Sequence, residues 1–248
     1  GFCSKTLTEF AFETDELFES KVIIDESEML NRAINVFWRK NITCKPADEL
    51  EVIYESGFTK EKIREALVQV SRNKQYYFEK ETNFDELKDL KAYLETMESQ
   101  EAAILDKGKK DILERLQGNT QEEKKVCDFL SSDYQGENPF FTKKGGIRSS
   151  LSKKLFGHEI LKYYTELANL RERVNKAQKD YIQTMYKQAV DYCKRELEKY
   201  KKNYSLMTQQ DLIDRLYAKV SDNDKAELIA EKMQNKYQAL FIDEFQDT

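Results

Sequence analysis

Apolar residues recur at helical spacing along most of this chain, and the longest such stretch runs from residue 158 to residue 203. When each residue is turned by about 100°, its apolar side chains fall on one side. Unbroken, the stretch would form a helix about 65 to 70 Å long at a rise of ~1.5 Å per residue. It therefore predicts one long helix, whose apolar face consists of Ile160, Tyr164, Leu167, Val174, Tyr181, Met185, Ala189, Tyr192 and Tyr200.

A row of lysines occupies the opposite side of the same helix. Acids such as Asp180 and Asp191 flank this row, which favours a solvated face over a DNA-binding surface. His158 follows Gly157 at the start of the stretch and is the single histidine of the chain. It is therefore predicted to begin the helix and not to act as a catalyst. The lysine row consists of Lys176, Lys179, Lys187, Lys194 and Lys201.

Shorter helical patterns lie on both sides of this stretch. Acids at positions 25, 26 and 28 open a helix through Trp38, which is predicted to be a core residue because a lone indole on an apolar helix face ordinarily packs. The pattern from Asn83 to Leu116 predicts one long helix, with Gly108 as the place where a break would fall. Residues 131–146 are the least regular and are predicted to form the main loop. Further helices are predicted over residues 47–54, 59–70, 121–130, 208–216 and 222–235, with the hydroxyls of Thr120 and Thr208 as caps of the third and fourth.

The composition agrees with a helical fold. Of the 248 residues, 40% are hydrophobic and 35% are charged, while glycine and proline number only 8 and 2. These values favour long amphipathic helices with solvated faces. We predict an all-α fold: an elongated multi-helix bundle with one long helix over about residues 158–203, and a short strand near residue 248.

The net charge of −5 requires any nucleic-acid contact to come from a local patch. Residues 139–156 form the most basic segment and contain no acid, and they include three phenylalanines and three serines. Basic, aromatic and hydroxyl side chains together can hold a phosphate backbone. The alternative is a solvated loop whose charge only keeps it soluble. The candidate DNA-binding residues are Lys143, Lys144, Arg148, Lys153 and Lys154.

The cysteines do not form a recognisable metal or disulfide pattern. Cys3, Cys44, Cys127 and Cys193 lie 41, 83 and 66 residues apart, and His158 is the one histidine that could join them. Neither zinc nor a disulfide framework is expected. No apolar run approaches membrane-spanning length. The first residues contain neither an initiator methionine nor the apolar region of a signal peptide. We therefore expect a reduced, cytoplasmic protein without a membrane partner, and a chain that is a piece of a longer one.

The last residues carry a separate signal. An apolar run over residues 239–242 is followed at once by the acidic pair Asp243 and Glu244. A buried parallel strand delivers carboxylates in this way to the edge of a nucleotide-binding sheet. This pattern is typical of a Walker B segment.

The letters DEFQDT at residues 243–248 resemble motif II of superfamily 1 DNA helicases of the UvrD, Rep and RecB kind. The opening Gly1-Phe2-Cys3 resembles the RecB-type stretch that continues a T-x-H-G-F-C motif, although T-x-H is missing here. Asp211 and Leu212 match the helix that precedes motif II in these proteins. The whole chain is similar to the region of a RecB-type protein, the beta subunit of exodeoxyribonuclease V, between these two motifs; an AddA-type relative is the alternative.

The resemblance implies a domain division and an ATPase site. Residues 1–20 would belong to motor domain 1A, residues 21–235 would form the helical subdomain 1B, and residues 236–248 would return to domain 1A as the Walker B strand. Asp243 would hold Mg²⁺ and Glu244 would polarise the water that attacks ATP, while Gln246 and Asp247 would couple the nucleotide state to DNA. Because the chain contains no G-x-x-x-x-G-K-[ST], ATP and Mg²⁺ are expected in the parent protein only, and the isolated chain is predicted to be inactive as an ATPase.

The resulting functional hypothesis is a helical accessory subdomain that contacts duplex DNA through residues 139–156. The parent would be an ATP-dependent helicase and exonuclease subunit in double-strand-break repair and recombination, and other subunits of a RecBCD-like complex would be its partners. A structural arm that docks another subunit without touching DNA is the main alternative. A nuclease ranks last, because nuclease chemistry needs an acid cluster with a lysine and only Asp243 and Glu244 suggest one.

Overall fold

A computed structural model describes residues 21–72, 81–131, 136–221 and 223–236. In these ranges the fold is all-α, as predicted, with one long helix and one pair of two-residue strands. The terminal strand predicted over residues 236–248 lies almost wholly outside the described residues. The elements are β1 (Lys21–Val22), α1 (Ser27–Asn41), α2 (Ala47–Glu55), α3 (Lys60–Arg72), α4 (Phe84–Ser99), α5 (Glu101–Arg115), α6 (Gln121–Leu130), α7 (Ser149–Lys154), α8 (Glu159–Asn203), β2 (Leu206–Met207), α9 (Gln209–Val220) and α10 (Asn223–Lys236). No helix among them is long and apolar enough to cross a membrane.

The described residues form two compact units. The first unit comprises residues 21–44, 60–67 and 189–236, apart from residue 222. The second unit comprises Lys45–Thr59 and the described part of residues 68–188. Helix α8 contributes residues to both, since its first thirty residues belong to the second unit and its last fifteen to the first.

The core of the second unit is built on the apolar face that the sequence predicted for α8. Ile160, Tyr164 and Leu167 are fully buried and belong to one cluster with residues of α4, α5, α6 and α7. Farther along α8, the Tyr181 hydroxyl donates to the buried carboxylate of Glu49 on α2. Burial, and then this hydrogen bond, raise the pKa of Tyr181. Periodicity thus identified the correct face of α8.

The predicted break in the helix over residues 83–116 was misplaced. Helix α4 ends at Ser99 and α5 begins at Glu101, so the break falls at Gln100. The Gln100 N–H bonds to the Met97 carbonyl at 3.1 Å, which is the tighter turn of a helix end. Gly108 lies inside α5, where a neighbouring side chain requires the small residue.

The first unit is organised around α1. Ala33, Ile34 and Phe37 are buried, and the Phe37 ring packs against Tyr192 of α8 with ring centres 5.6 Å apart. Trp38 is only part-buried, so the prediction that it is a core residue was wrong. The neighbouring positions 33, 34 and 37 face the core, which leaves Trp38 at the edge of that face.

Strands β1 and β2 form a short parallel sheet, and a group of ion pairs beside it connects α8 to α9. Lys21 pairs with Leu206 in the register of the two strands. Next to this sheet, Lys201 of α8 forms ion pairs of 2.8 Å with both Glu26 and Asp211. Asp211 also completes a capping box with Thr208 at the start of α9. The hydroxyl-capped helix predicted from residue 208 is therefore confirmed.

Candidate nucleic-acid interface

The basic segment forms a tight turn followed by a short helix. Phe141 and Ile147 make an antiparallel bridge, and the Thr142 N–H donates to the Gly146 carbonyl at 2.7 Å. Gly145 has a φ of +84°, a left-handed conformation that glycine adopts without strain. The chain reverses here, and the basic turn, residues 141–147, carries Lys143 and Lys144 at its tip. Helix α7, which the sequence did not predict, follows the turn directly.

Two aromatic side chains hold the turn on the core. Phe140 and Phe141 are buried, and both contact Tyr164 of α8. Phe140 stacks on Tyr164 with ring centres 4.4 Å apart, and Phe141 meets it edge-on at 5.2 Å. The Arg171 guanidinium carbon lies 5.0 Å from the centre of the Phe141 ring. Phe140 and Phe141 are therefore anchors and not exposed DNA-stacking groups, whereas Phe156 at the end of the basic segment is 82% exposed.

A hydrogen-bonded group beneath the turn supports the same rings. The Tyr164 hydroxyl donates to Glu101 Oε1 at 2.6 Å and accepts from Asn138 Nδ2 at 3.2 Å. The Asn138 side-chain oxygen accepts from the Phe140 N–H at 3.0 Å. Burial, and then the hydrogen bond to Glu101, raise the pKa of Tyr164, which keeps it a donor. The turn is thus fixed by both apolar and polar contacts.

Arg148 is held by groups outside the turn. Its Nε donates to the Pro139 carbonyl at 3.0 Å, and its Nη1 lies 3.3 Å from Glu122 Oε1 of α6. Glu122 also accepts a hydrogen bond from Ser150. A phosphate would have to compete with this carboxylate for the guanidinium.

Lys154 is held in the same way by the next residue of α6. Its Nζ lies 2.6 Å from Glu123 Oε1, and the Glu123 side chain is buried. The Lys154 hydrogen bond lowers the pKa of Glu123, and Thr120 and the Asn119 N–H add to the effect. Glu123 is thereby kept charged and paired, so Lys154 stabilises the attachment of α7 to α6.

The other three candidates remain open to solvent. Lys143, Lys144 and Lys153 are exposed, and none of them forms an ion pair with another described residue. The structure therefore divides the five predicted DNA-binding residues into three exposed cations and two that pair with Glu122 and Glu123. Sequence reasoning missed these two acids, because they lie outside the basic segment. The Thr120-x-x-Glu123 spacing of a capping box was the one local signal for Glu123.

The lysine row of α8 is also divided. Lys187 pairs with Glu81, and Lys201 pairs with Glu26 and Asp211. The remaining three, Lys176, Lys179 and Lys194, are exposed.

His158 takes the role predicted for it. Its Nδ1 accepts from the Ile160 N–H at 3.0 Å and so caps the first turn of α8, while its Nε2 lies 3.1 Å from Asp111. Both ring nitrogens thus have partners in the helix start and in α5.

The predicted ATPase residues Asp243, Glu244, Gln246 and Asp247 lie outside the described residues, so their roles in binding Mg²⁺ and ATP stay predictions. Within residues 21–72, 81–131, 136–221 and 223–236, no group of three or more His, Cys, Asp or Glu side chains could hold a metal ion. Comparison with protein-family models found no match to this chain, and comparison with curated proteins found none either.

Proposed function

We propose that this chain is a helical accessory subdomain that contacts duplex DNA through the basic turn and α7. Lys143, Lys144 and Lys153 bind backbone phosphates, while Arg148 and Lys154 keep the turn and α7 in place. The parent protein is a RecB-type, ATP-dependent DNA helicase and exonuclease subunit of double-strand-break repair, working with other subunits and using ATP and Mg²⁺ through the residues of its DEFQDT motif.

One observation carries this proposal: three exposed cations, which pair with no carboxylate in the described part of the chain, lie on a rigidly anchored turn and helix. A fixed group of cations loses less conformational entropy on binding than lysines on a flexible loop. Phosphate contacts of this kind position a protein on DNA without reading its sequence. The resemblance of residues 243–248 to motif II supports DNA as the polyanion.

The direct test is a titration of the chain with a fluorescent 20-base-pair duplex at several salt concentrations. Non-specific binding should have a Kd of roughly 10⁻⁴ to 10⁻⁶ M, and three phosphate contacts should give a slope of log K against log salt of about −2.7. The variant K143A/K144A/K153A should lose most of this binding and most of the slope.

The variant K176A/K179A/K194A is the matched control. It removes the same charge from three exposed lysines of α8, so it also tests the long helix as an alternative DNA-binding surface. Equal losses in the two triple variants would mean that net charge, and not the basic turn, determines binding. A loss confined to the α8 variant would move the interface to that helix.

A subunit-docking arm is the second candidate, and two exposed apolar residues favour it. Ile213 and Tyr217 lie one turn apart on α9 and are 45% and 72% exposed. Exposed apolar side chains on one helix face are typical of protein interfaces. If the chain bound no duplex at low salt but captured a partner subunit in a manner lost in I213A/Y217A and insensitive to salt, docking would replace the DNA-binding proposal.

A further inference from the structure

An open groove lies along the exposed face of α1 in the first unit. Its volume is about 700 Å³, which is within the ordinary range of ligand-binding sites. The side chains that line it come from successive turns of α1, from Thr43 just after its end, and from the first residue of α3. Those that matter for binding are Asn31, Arg32, Asn35, Trp38, Arg39 and Lys60.

The charge of the groove opposes that of the chain. Its three cations face a single lining carboxylate, Glu28. The cations have neutral neighbours: the Arg32 guanidinium carbon lies 6.0 Å from the centre of the Tyr200 ring, and Lys60 Nζ donates to Asn35 Oδ1 at 2.8 Å. None of the three is ion-paired to another residue in the described part of the chain. Among the described residues that line the groove, positive charge therefore exceeds negative charge, which favours an anionic ligand.

The rest of the lining suits an aromatic base. Trp38 is part-buried, and Lys60 Nζ lies 5.7 Å from the centre of its ring. Asn31 and Asn35 supply amides that can both donate to and accept from the edge of a base. In a duplex the faces of the bases are stacked on one another and cannot pack against an aromatic side chain, whereas an unpaired base can contact both aromatic and amide side chains.

The geometry points to a binding site for a phosphate group attached to an unpaired base. Arg39 and Lys60 hold the phosphate, and Trp38 and the two asparagines contact the base. A free nucleotide and a single-stranded nucleic acid both offer this chemistry. The inference does not depend on the proposed duplex contact, because the basic turn lies in the second unit and the groove lies in the first.

Trp38 makes the test specific, because it is the one tryptophan of the chain and its emission therefore reports on this groove. The full chain carrying K143A/K144A/K153A, which lacks the proposed duplex contact, is titrated separately with a ten-residue oligothymidylate, with uridine monophosphate and with inorganic phosphate. We expect a saturable change in Trp38 emission with the oligonucleotide or the nucleotide, at concentrations at which inorganic phosphate has no effect.

The matched pair of variants is Arg39→Ala and Lys40→Ala. Both remove one exposed cation from the last turn of α1, but Arg39 lines the groove and Lys40 does not. Arg39→Ala should weaken binding roughly tenfold, the value of one charge-assisted hydrogen bond, and Lys40→Ala should leave it unchanged. Circular dichroism checks that both variants fold. Because Lys60 affects the emission of Trp38 directly, binding by the Lys60→Ala variant is measured by anisotropy instead.

Binding of the oligothymidylate but not of uridine monophosphate would identify a single strand as the ligand. Binding of both would show that one nucleotide unit is sufficient. Either result supports the site. The inference is wrong if neither ligand changes the Trp38 emission, if inorganic phosphate acts as strongly as they do, or if Arg39→Ala and Lys40→Ala weaken binding equally. A failure of the basic turn to bind duplex DNA would leave all of these outcomes unaffected.

Discussion

Gly108 lies so close to His158 that a β-carbon at position 108 would be 2.9 Å from Cε1 of the imidazole ring. The ring cannot withdraw freely, because its Nδ1 caps α8 through Ile160 and its Nε2 contacts Asp111. The glycine that seemed to mark a break in a helix is therefore the point at which α5 accommodates the start of α8.

Gly108→Ala should destabilise the protein although alanine is the better helix former. The intrinsic gain of about 1 kcal/mol is outweighed by overpacking against the ring, which typically costs about 1 to 3 kcal/mol. Urea unfolding of Gly108→Ala, His158→Ala and the double variant measures the balance. In the His158→Ala background the ring is absent, so Gly108→Ala should become stabilising; a loss of the same size in both backgrounds would contradict the contact.

Tyr164→Phe should lower the free energy of unfolding by about 1 to 3 kcal/mol. The substitution keeps the ring that stacks on Phe140, but it removes the hydroxyl that donates to Glu101 and accepts from Asn138, and leaves the hydrogen bond from Asn138 Nδ2 to Glu101 Oε1 in place. Thermal or urea unfolding measures the loss. Tyr93→Phe is the control, because Tyr93 is 55% exposed on α4; a similar loss in both variants would show that the hydrogen-bonded group is not the cause.

Stability should fall on acidification through Asp211. Burial alone would raise the pKa of Asp211, but the hydrogen bonds from Lys201 and from the Thr208 N–H outweigh burial and lower it. Because the pKa is lower in the folded state than in the unfolded state, the stabilisation is present above about pH 4 and is lost as the pH falls below that value.

Urea unfolding at pH 7 and at successive values down to pH 3 measures this dependence on pH. Asp211→Asn should be less stable than the wild type at pH 7 and should lose less stability between pH 7 and pH 3. Asp106→Asn, which changes an exposed carboxylate of α5, should keep the wild-type dependence on pH. If Asp211→Asn kept the wild-type dependence of stability on pH, Asp211 would not be the cause of that dependence.

Glu122→Gln should strengthen binding to duplex DNA. The substitution removes the carboxylate that pairs with Arg148, so a fourth cation beside the basic turn becomes available. The slope of log K against log salt should become steeper by up to about 0.9, as measured by the duplex titration described above. Glu114→Gln removes the same charge from an exposed position on α5 and should change the slope less. Weaker binding by Glu122→Gln would show that the acid is needed to orient Arg148.

Most helices followed from local sequence. Hydroxyl caps at Thr120 and Thr208 begin their helices as predicted, and the apolar positions of α8 that were expected on one face are buried along most of its length. These features depend on residues within one or two turns of each other, so a single stretch of sequence contains the whole interaction. Helix α7 escaped prediction because six residues are too few to show a helical period.

The candidate site was predictable only in part. The basic character of residues 139–156 is visible in the sequence, but it does not distinguish Lys143, which is exposed, from Lys154, which pairs with Glu123 of another helix. The groove on α1 was missed because Trp38 was expected in the core. Its cations come from α1 and from Lys60, which begins α3 and is separated from α1 in the sequence by the whole of α2.

The sequence by itself determined the helical class, the location and buried face of the longest helix, and the local excess of positive charge, because each depends on composition or on spacing within a few turns. Only the tertiary structure decided which cations are neutralised, why Gly108 lies inside a helix, and that Lys21 pairs with Leu206 in a parallel strand pair. The physical reason is that these outcomes depend on short-range forces between groups far apart in the chain, as in the contact between Gly108 and His158.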